Sequence, residues 1–125
     1  MFDQSPQERV IRIGHALQEQ LDLGWLTISH KFDERTTEDR VTAETKSDWE
    51  YRQATILWNV ESVRLLDDDL LAATIIHEFV HVLIDPLWSA LTAAQQDRFN
   101  KIHEFSTENV ARAILAAANH VGKAR

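Results

Sequence analysis

The chain has 125 residues, an apolar fraction of 44%, a formal net charge of −7 and no cysteine. That length suits one domain with a modest core, so residues 1–125 are read as a single unit. The acidity excludes nucleic acid as a main partner, because phosphate contacts need clustered Lys and Arg, and the lack of cysteine excludes disulfides and thiolate metal ligands.

In chain order, Ser5-Pro6-Gln7-Glu8 forms a capping box with proline at the first helical position. The helix it opens is predicted to run to about Leu23 and to stop at Gly24, with Val10, Ile11, Ile13, Leu17 and Leu21 on its apolar side. His15, alone on this helix, reads as surface or packing. Residues Trp25–Phe32 alternate and predict a strand. The polar run Asp33–Arg40 predicts a loop, Val41–Thr45 a short strand, Lys46–Asp48 a turn, and Tyr51–Asn59 the strongest strand of the three. Connections this short leave no room for crossover helices, so the expected sheet is small, three-stranded and antiparallel. No basic or apolar leader occupies Met1–Pro6, and no stretch approaches the length of a membrane span. Both features, with the absence of cysteine, suggest a cytoplasmic protein without a membrane partner.

The next helix carries the chemistry. Asp67, Asp68 and Asp69 supply an N-cap and first-turn acids, and Pro86 predicts a stop just past Ile84. Between them the sequence is apolar apart from Thr74, His77, Glu78 and His81, so this helix is expected to be buried on most sides. Two histidines four residues apart share one helical face, a spacing that lets both imidazoles grip one tetrahedral zinc ion. Glu78, beside the first of them, reads as the general base for a water activated there. Burying these three polar groups without partners would be costly, and a metal ion with its water removes that objection.

A third ligand must come from elsewhere. Ile84 and Leu87 stand where the longer zincin pattern has a glycine and a third histidine, and Leu87 also excludes the nuclease pattern with a histidine at that position. After a turn around Trp88–Leu91, residues Thr92–His120 read as one long or bent helix. Ala111, Ile114, Leu115 and Ala118 form its packing stripe, and Val121–Arg125 reads as a frayed tail. Glu104 and Glu108 lie one turn apart on this helix and share a face. One could bind metal while the other holds a ligand histidine by its second ring nitrogen. His103 points about 100° away from Glu104 on the helix, which makes it a poorer ligand that could still sit near the site. The tryptophans at 25, 49, 58 and 88 read as core or cleft-wall packing.

The motif His77-Glu78-Phe79-Val80-His81, followed by a glutamate helix and preceded by the strand-like Trp49–Asn59, resembles the gluzincin metallopeptidases. It looks like a minimal member, similar to the small proteins with this motif found in phage and bacterial genomes. The resemblance covers roughly residues 50–118. It implies an α+β, zincin-like fold: an N-terminal helix, the small sheet, the motif helix and the glutamate helix. It further implies Zn2+ held by His77, His81 and a glutamate, Glu78 as catalytic base, and a peptide or protein substrate. Two registers fit the family. Glu104 as ligand would make Glu108 the acid one turn later that larger relatives carry. Glu108 as ligand would match the apolar run Val110–Ile114 of the small relatives, and this register is preferred by a narrow margin. The family also places an edge strand along its cleft, for which Ala54–Asn59 is the candidate. Tyr51 and His103 are the candidates for the oxyanion-stabilising group, neither at a family spacing. The alternative to an enzyme is a non-catalytic metal-binding or interaction module. Oligomeric state is not legible in the sequence.

Overall fold

Ser5 starts the first helix. A computed structural model, which describes residues 4–34 and 41–124, has the Glu8 N–H donating to Ser5 Oγ at 3.2 Å and the Ser5 N–H donating to the Glu8 carboxylate at 3.4 Å. This reciprocal cap, with Pro6 behind it, starts α1 (Pro6–Gln20). The helix ends before Leu23. Leu21 caps it and Asp22 takes the left-handed conformation, with φ of 58°. A short polar side chain tolerates that conformation, so Gly24 is not needed as the stop.

The strands are β1 (Thr27–Asp33), β2 (Ala43–Asp48) and β3 (Gln53–Asn59). Residues 35–40 of the expected loop lie outside the described residues. Lys46, Ser47 and Asp48 continue β2 rather than turning the chain. The reversal is made by a 3-10 turn at Trp49–Tyr51 and by Arg52 in the left-handed region at φ 56°. The sheet order is β1-β3-β2. The sheet is mixed rather than wholly antiparallel: β2 pairs antiparallel with β3, but β1 runs parallel to β3. The parallel pair needs no crossover helix because β2 itself makes the return journey. It leads the chain back to the starting end of β1, and β3 then enters between the two, in the direction of β1.

β3 is therefore central, which corrects the expectation that Ala54–Asn59 is the edge strand at the cleft; that edge belongs to β2. Along β3, Ala54, Ile56 and Trp58 are buried and Gln53 and Leu57 exposed, the alternation of a sheet covered on one face. The Asn59 side chain then accepts from the Ser62 N–H at 3.1 Å and caps α2 (Val60–Arg64), a short helix with no counterpart in the sequence reading. Asp67 caps α3 (Asp68–Ser89) through the Leu70 N–H at 2.8 Å. Arg9 ties that start to α1, donating to Asp68 at 3.0 Å and to the Leu66 carbonyl at 2.6 Å.

Pro86 lies inside α3 rather than ending it. Its missing N–H costs the helix one backbone bond, while Trp88, two residues on, stacks against His103 and holds the last turn in place. The extra turn gives α3 22 residues, and its most apolar 18-residue stretch has a mean hydropathy of 1.5, long and apolar enough by those measures to cross a membrane, contrary to the sequence expectation. Six of its apolar residues, Leu71, Ile75, Ile76, Phe79, Val80 and Val82, are instead buried in the core. A second capping box, Thr92 with Gln95, precedes α4 (Ala93–Ala124), and the backbone stays helical through most of the expected tail.

One core joins Val10, Ile13 and Leu17 of α1, Ile56 and Trp58 of β3, the buried face of α3, and Ala111 of α4. The architecture is thus α+β, with helices on one face of a three-stranded sheet. Trp58 belongs to the core, but Trp25 and Trp49 are 54% and 46% exposed, because both lie in turns beyond the strands and not in packed elements.

His30 on β1 accepts at Nδ1 from the Trp58 indole N–H at 2.9 Å. Its Nε2 lies 3.2 Å from where a Cβ on Gly14 would stand, so a glycine is what lets α1 approach. Burial pushes the His30 pKa down from its usual 6.5, so the folded state holds it neutral while the unfolded chain takes up a proton. Its contribution to stability is complete above about pH 6.5 and is lost as pH falls below that, by up to ~1.4 kcal/mol per pH unit. Urea unfolding between about pH 7.5 and 5.5 should show this slope in the wild type, and His30→Asn should remove that part of it.

Candidate metal centre

The site forms where α3 meets α4 beside the free edge of β2. Helical spacing puts His77 and His81 on one face of α3, with ring centroids 4.9 Å apart. From α4, the Glu104 carboxylate faces both rings: Oε2 is 3.7 Å from His77 Nε2, and Oε1 is 3.6 Å from His81 Nε2. One nitrogen from each imidazole and one carboxylate oxygen lie within 4.8 Å of one another, and this is the one such group among the described residues. Tetrahedral metal bonds of ~2.1 Å place neighbouring ligand atoms about 3.4 Å apart, close to the two gaps from Glu104, so the group could hold a metal ion.

Glu108, one turn further along α4, meets His77 differently. The His77 Nδ1–H donates to Glu108 Oε2 at 2.8 Å, and Arg112 Nε donates to Glu108 Oε1 at 2.9 Å. With the proton on Nδ1, the lone pair of His77 is on Nε2, the atom turned toward Glu104. The arginine bond, followed by that from His77, holds the Glu108 carboxyl below its ordinary pKa, keeping it an anion. An ionised acceptor on the second nitrogen makes an imidazole a better metal donor. The two glutamates thus occupy different positions, and the one preferred as ligand from sequence, Glu108, sits behind His77 rather than between the two rings.

Glu78 is 7% exposed. Burial raises its pKa, opposed by a hydrogen bond from the Thr45 hydroxyl to Oε2 and by the nearby His77. Burial also lowers the pKa of His81, with Glu104 opposing, which favours the neutral ring that a metal requires. His103 stacks on Trp88 with centroids 3.9 Å apart and meets His81 edge-on at 5.2 Å. Its Nε2 is buried and has no hydrogen-bond partner among the described residues.

These groups line a cleft of about 800 Å³ between β2, α3 and α4, which also receives Glu44, Lys46 and Asp85. Tyr51 is 71% exposed and is not among the residues lining the cleft. His15 is on the surface, paired with Glu19 at 3.3 Å. Thr45 and Arg112 were not singled out from sequence. A signal for Thr45 exists, since Ala43, Thr45 and Ser47 alternate with charged residues and face inward, and a polar inward face is unusual unless a partner waits there. The chain matches no protein-family model, no curated protein and no solved structure.

If the three donors bind zinc in the folded state alone, adding the metal stabilises the fold, by about 2.7 kcal/mol at a free concentration 100 times Kd. Thermal unfolding of chelator-treated protein, with and without zinc, should show a clear rise in Tm for the wild type and none for His81→Ala.

Proposed function

We propose that this chain is a minimal zinc-dependent peptidase of the gluzincin type, with His77, His81 and Glu104 as ligands, Glu108 as the acid that orients His77, and Glu78 as general base. The observation that carries this reading is the Glu104 carboxylate set against the Nε2 atoms of both motif histidines, with Glu78 buried beside them. Zinc, when bound there, would acidify a water molecule and polarise the scissile carbonyl. Glu78 takes the proton from the attacking water and returns it to the leaving amine nitrogen. Its raised pKa brings it nearer to neutrality, where a group that must both accept and release a proton works best. The neutral His81 and the Glu108-backed His77 keep their lone pairs turned toward Glu104.

The substrate is an extended peptide. β2 has one edge bonded to β3 and, among the described residues, no strand paired on the other, which lies along the cleft and suits main-chain pairing by an added strand. His103, on the cleft wall beside His81, is the candidate donor toward a developing oxyanion, and the exposure of Tyr51 argues against Tyr51 in that role. A cytoplasmic setting is consistent with a chain that has no cysteine.

Glu78→Gln should bind zinc as the wild type does yet lose hydrolysis of an unfolded polypeptide by roughly 100-fold or more. Full activity in that variant would rule out the mechanism, and zinc-loaded wild type without turnover would favour a non-catalytic metal module. Elemental analysis and zinc titration separate the glutamates. Glu104→Ala should lose the ion, whereas Glu108→Ala should weaken binding by about 10- to 100-fold. The reverse ranking would return Glu108 to the ligand set.

A further inference from the structure

We infer that Thr45 is a positioning residue for Glu78: its hydroxyl, carried on the edge strand, holds Oε2 of the carboxylate and leaves Oε1 to accept the proton. The inference rests on the peptidase reading above and extends it to a residue outside the motif.

Glu78 is among the buried residues of α3, and a carboxylate taken out of water needs donors. Among the described residues its one hydrogen bond comes from Thr45 Oγ1, and Oε1 has no partner. A glutamate side chain has three rotatable bonds, so a single fixed donor decides which of its oxygens is free and where it stands. The donor is itself well anchored. Thr45 is β-branched and stiff at χ1, and its backbone stands opposite Ile56 in the β2–β3 register. Ile56 is fully buried in the core. The path from core to base therefore runs through two paired strands and one hydroxyl. The inward neighbours on β2 do not provide this contact: Ala43 has no donor, and Ser47 makes no hydrogen bond to Glu78.

The same strand offers its open edge to the cleft. A peptide pairing with β2 would thus be registered against the element that also sets the base. Strand and base then share one reference frame, and a shift in one is corrected in the other. A hydroxyl that merely neutralised a buried charge would affect stability and metal content but not the chemical step.

The test uses zinc-loaded wild type, Thr45→Val and Thr45→Ser with a pool of internally quenched peptides. Thr45→Val removes the donor at nearly constant volume, and Thr45→Ser keeps it. We expect Thr45→Val to lower kcat by ~10- to 100-fold while KM stays within about twofold and zinc stoichiometry is unchanged, and Thr45→Ser to retain most of the rate. A Thr45→Val protein with wild-type kcat overturns the inference. So does loss of zinc or of Tm in step with loss of rate. If Thr45→Val fails to fold, Thr45→Ala is measured by the same criteria. A second readout does not depend on turnover: the 13C signal of the Glu78 carboxyl in the zinc-loaded protein should move in Thr45→Val and return in Thr45→Ser. If the wild type binds zinc and cleaves nothing, the peptidase reading fails on its own. An unmoved carboxyl signal then overturns the role of Thr45, and a moved one upholds it.

Discussion

A core helix that carries two imidazoles and a carboxylate must have its polar groups met by other elements, and most of this structure serves that requirement. α3 supplies much of the hydrophobic core through Leu71, Ile75, Ile76 and Phe79, yet His77, Glu78 and His81 interrupt the same helix. Each is met from outside: His77 by Glu108, both imidazoles by Glu104, and Glu78 by Thr45. α4 and β2 flank α3 from two sides, and the cleft is the space left between them. Without these contacts the helix would bury unpaired polar groups, at a cost of about 1–3 kcal/mol for each one left without a partner.

Local chemistry was readable and tertiary geometry was not. The capping box at Ser5 and the cap at Asp67 follow from side chains that reach their own backbone a few residues away, so no distant contact can overrule them cheaply. The histidine pair is equally local, because four residues of helix bring both rings to one face whatever surrounds them. Glu104 and Glu108 share a face of α4 and differ by one turn. Which of them meets the Nε2 atoms depends on how far α4 has slid along α3, and periodicity carries no information about that.

The strands show the same division. Their number and order along the chain were evident from alternation, but pairing was not. The insertion of β3 between β1 and β2 makes one pair parallel and moves the open edge to the weakest strand in the sequence. Pro86 misled for a related reason: a proline costs a helix one bond, and the stacking of Trp88 on His103 lies in a contact between two helices. Thr45 escaped notice because a threonine in a strand is ordinary. Only the buried carboxylate opposite gives it significance.

The line from His77 through Glu108 to Arg112 begins beside the core and ends in water. The Arg112 side chain is 76% exposed, so dissolved ions compete for its guanidinium, whereas the contact between His77 and Glu108 is partly shielded. Charges in solvent are screened over about 8 Å at physiological ionic strength, and interior ones much less. Added salt therefore loosens the outer contact, between Arg112 and Glu108, before the inner one, between Glu108 and His77, so the chain of contacts gives way from the solvent end inward.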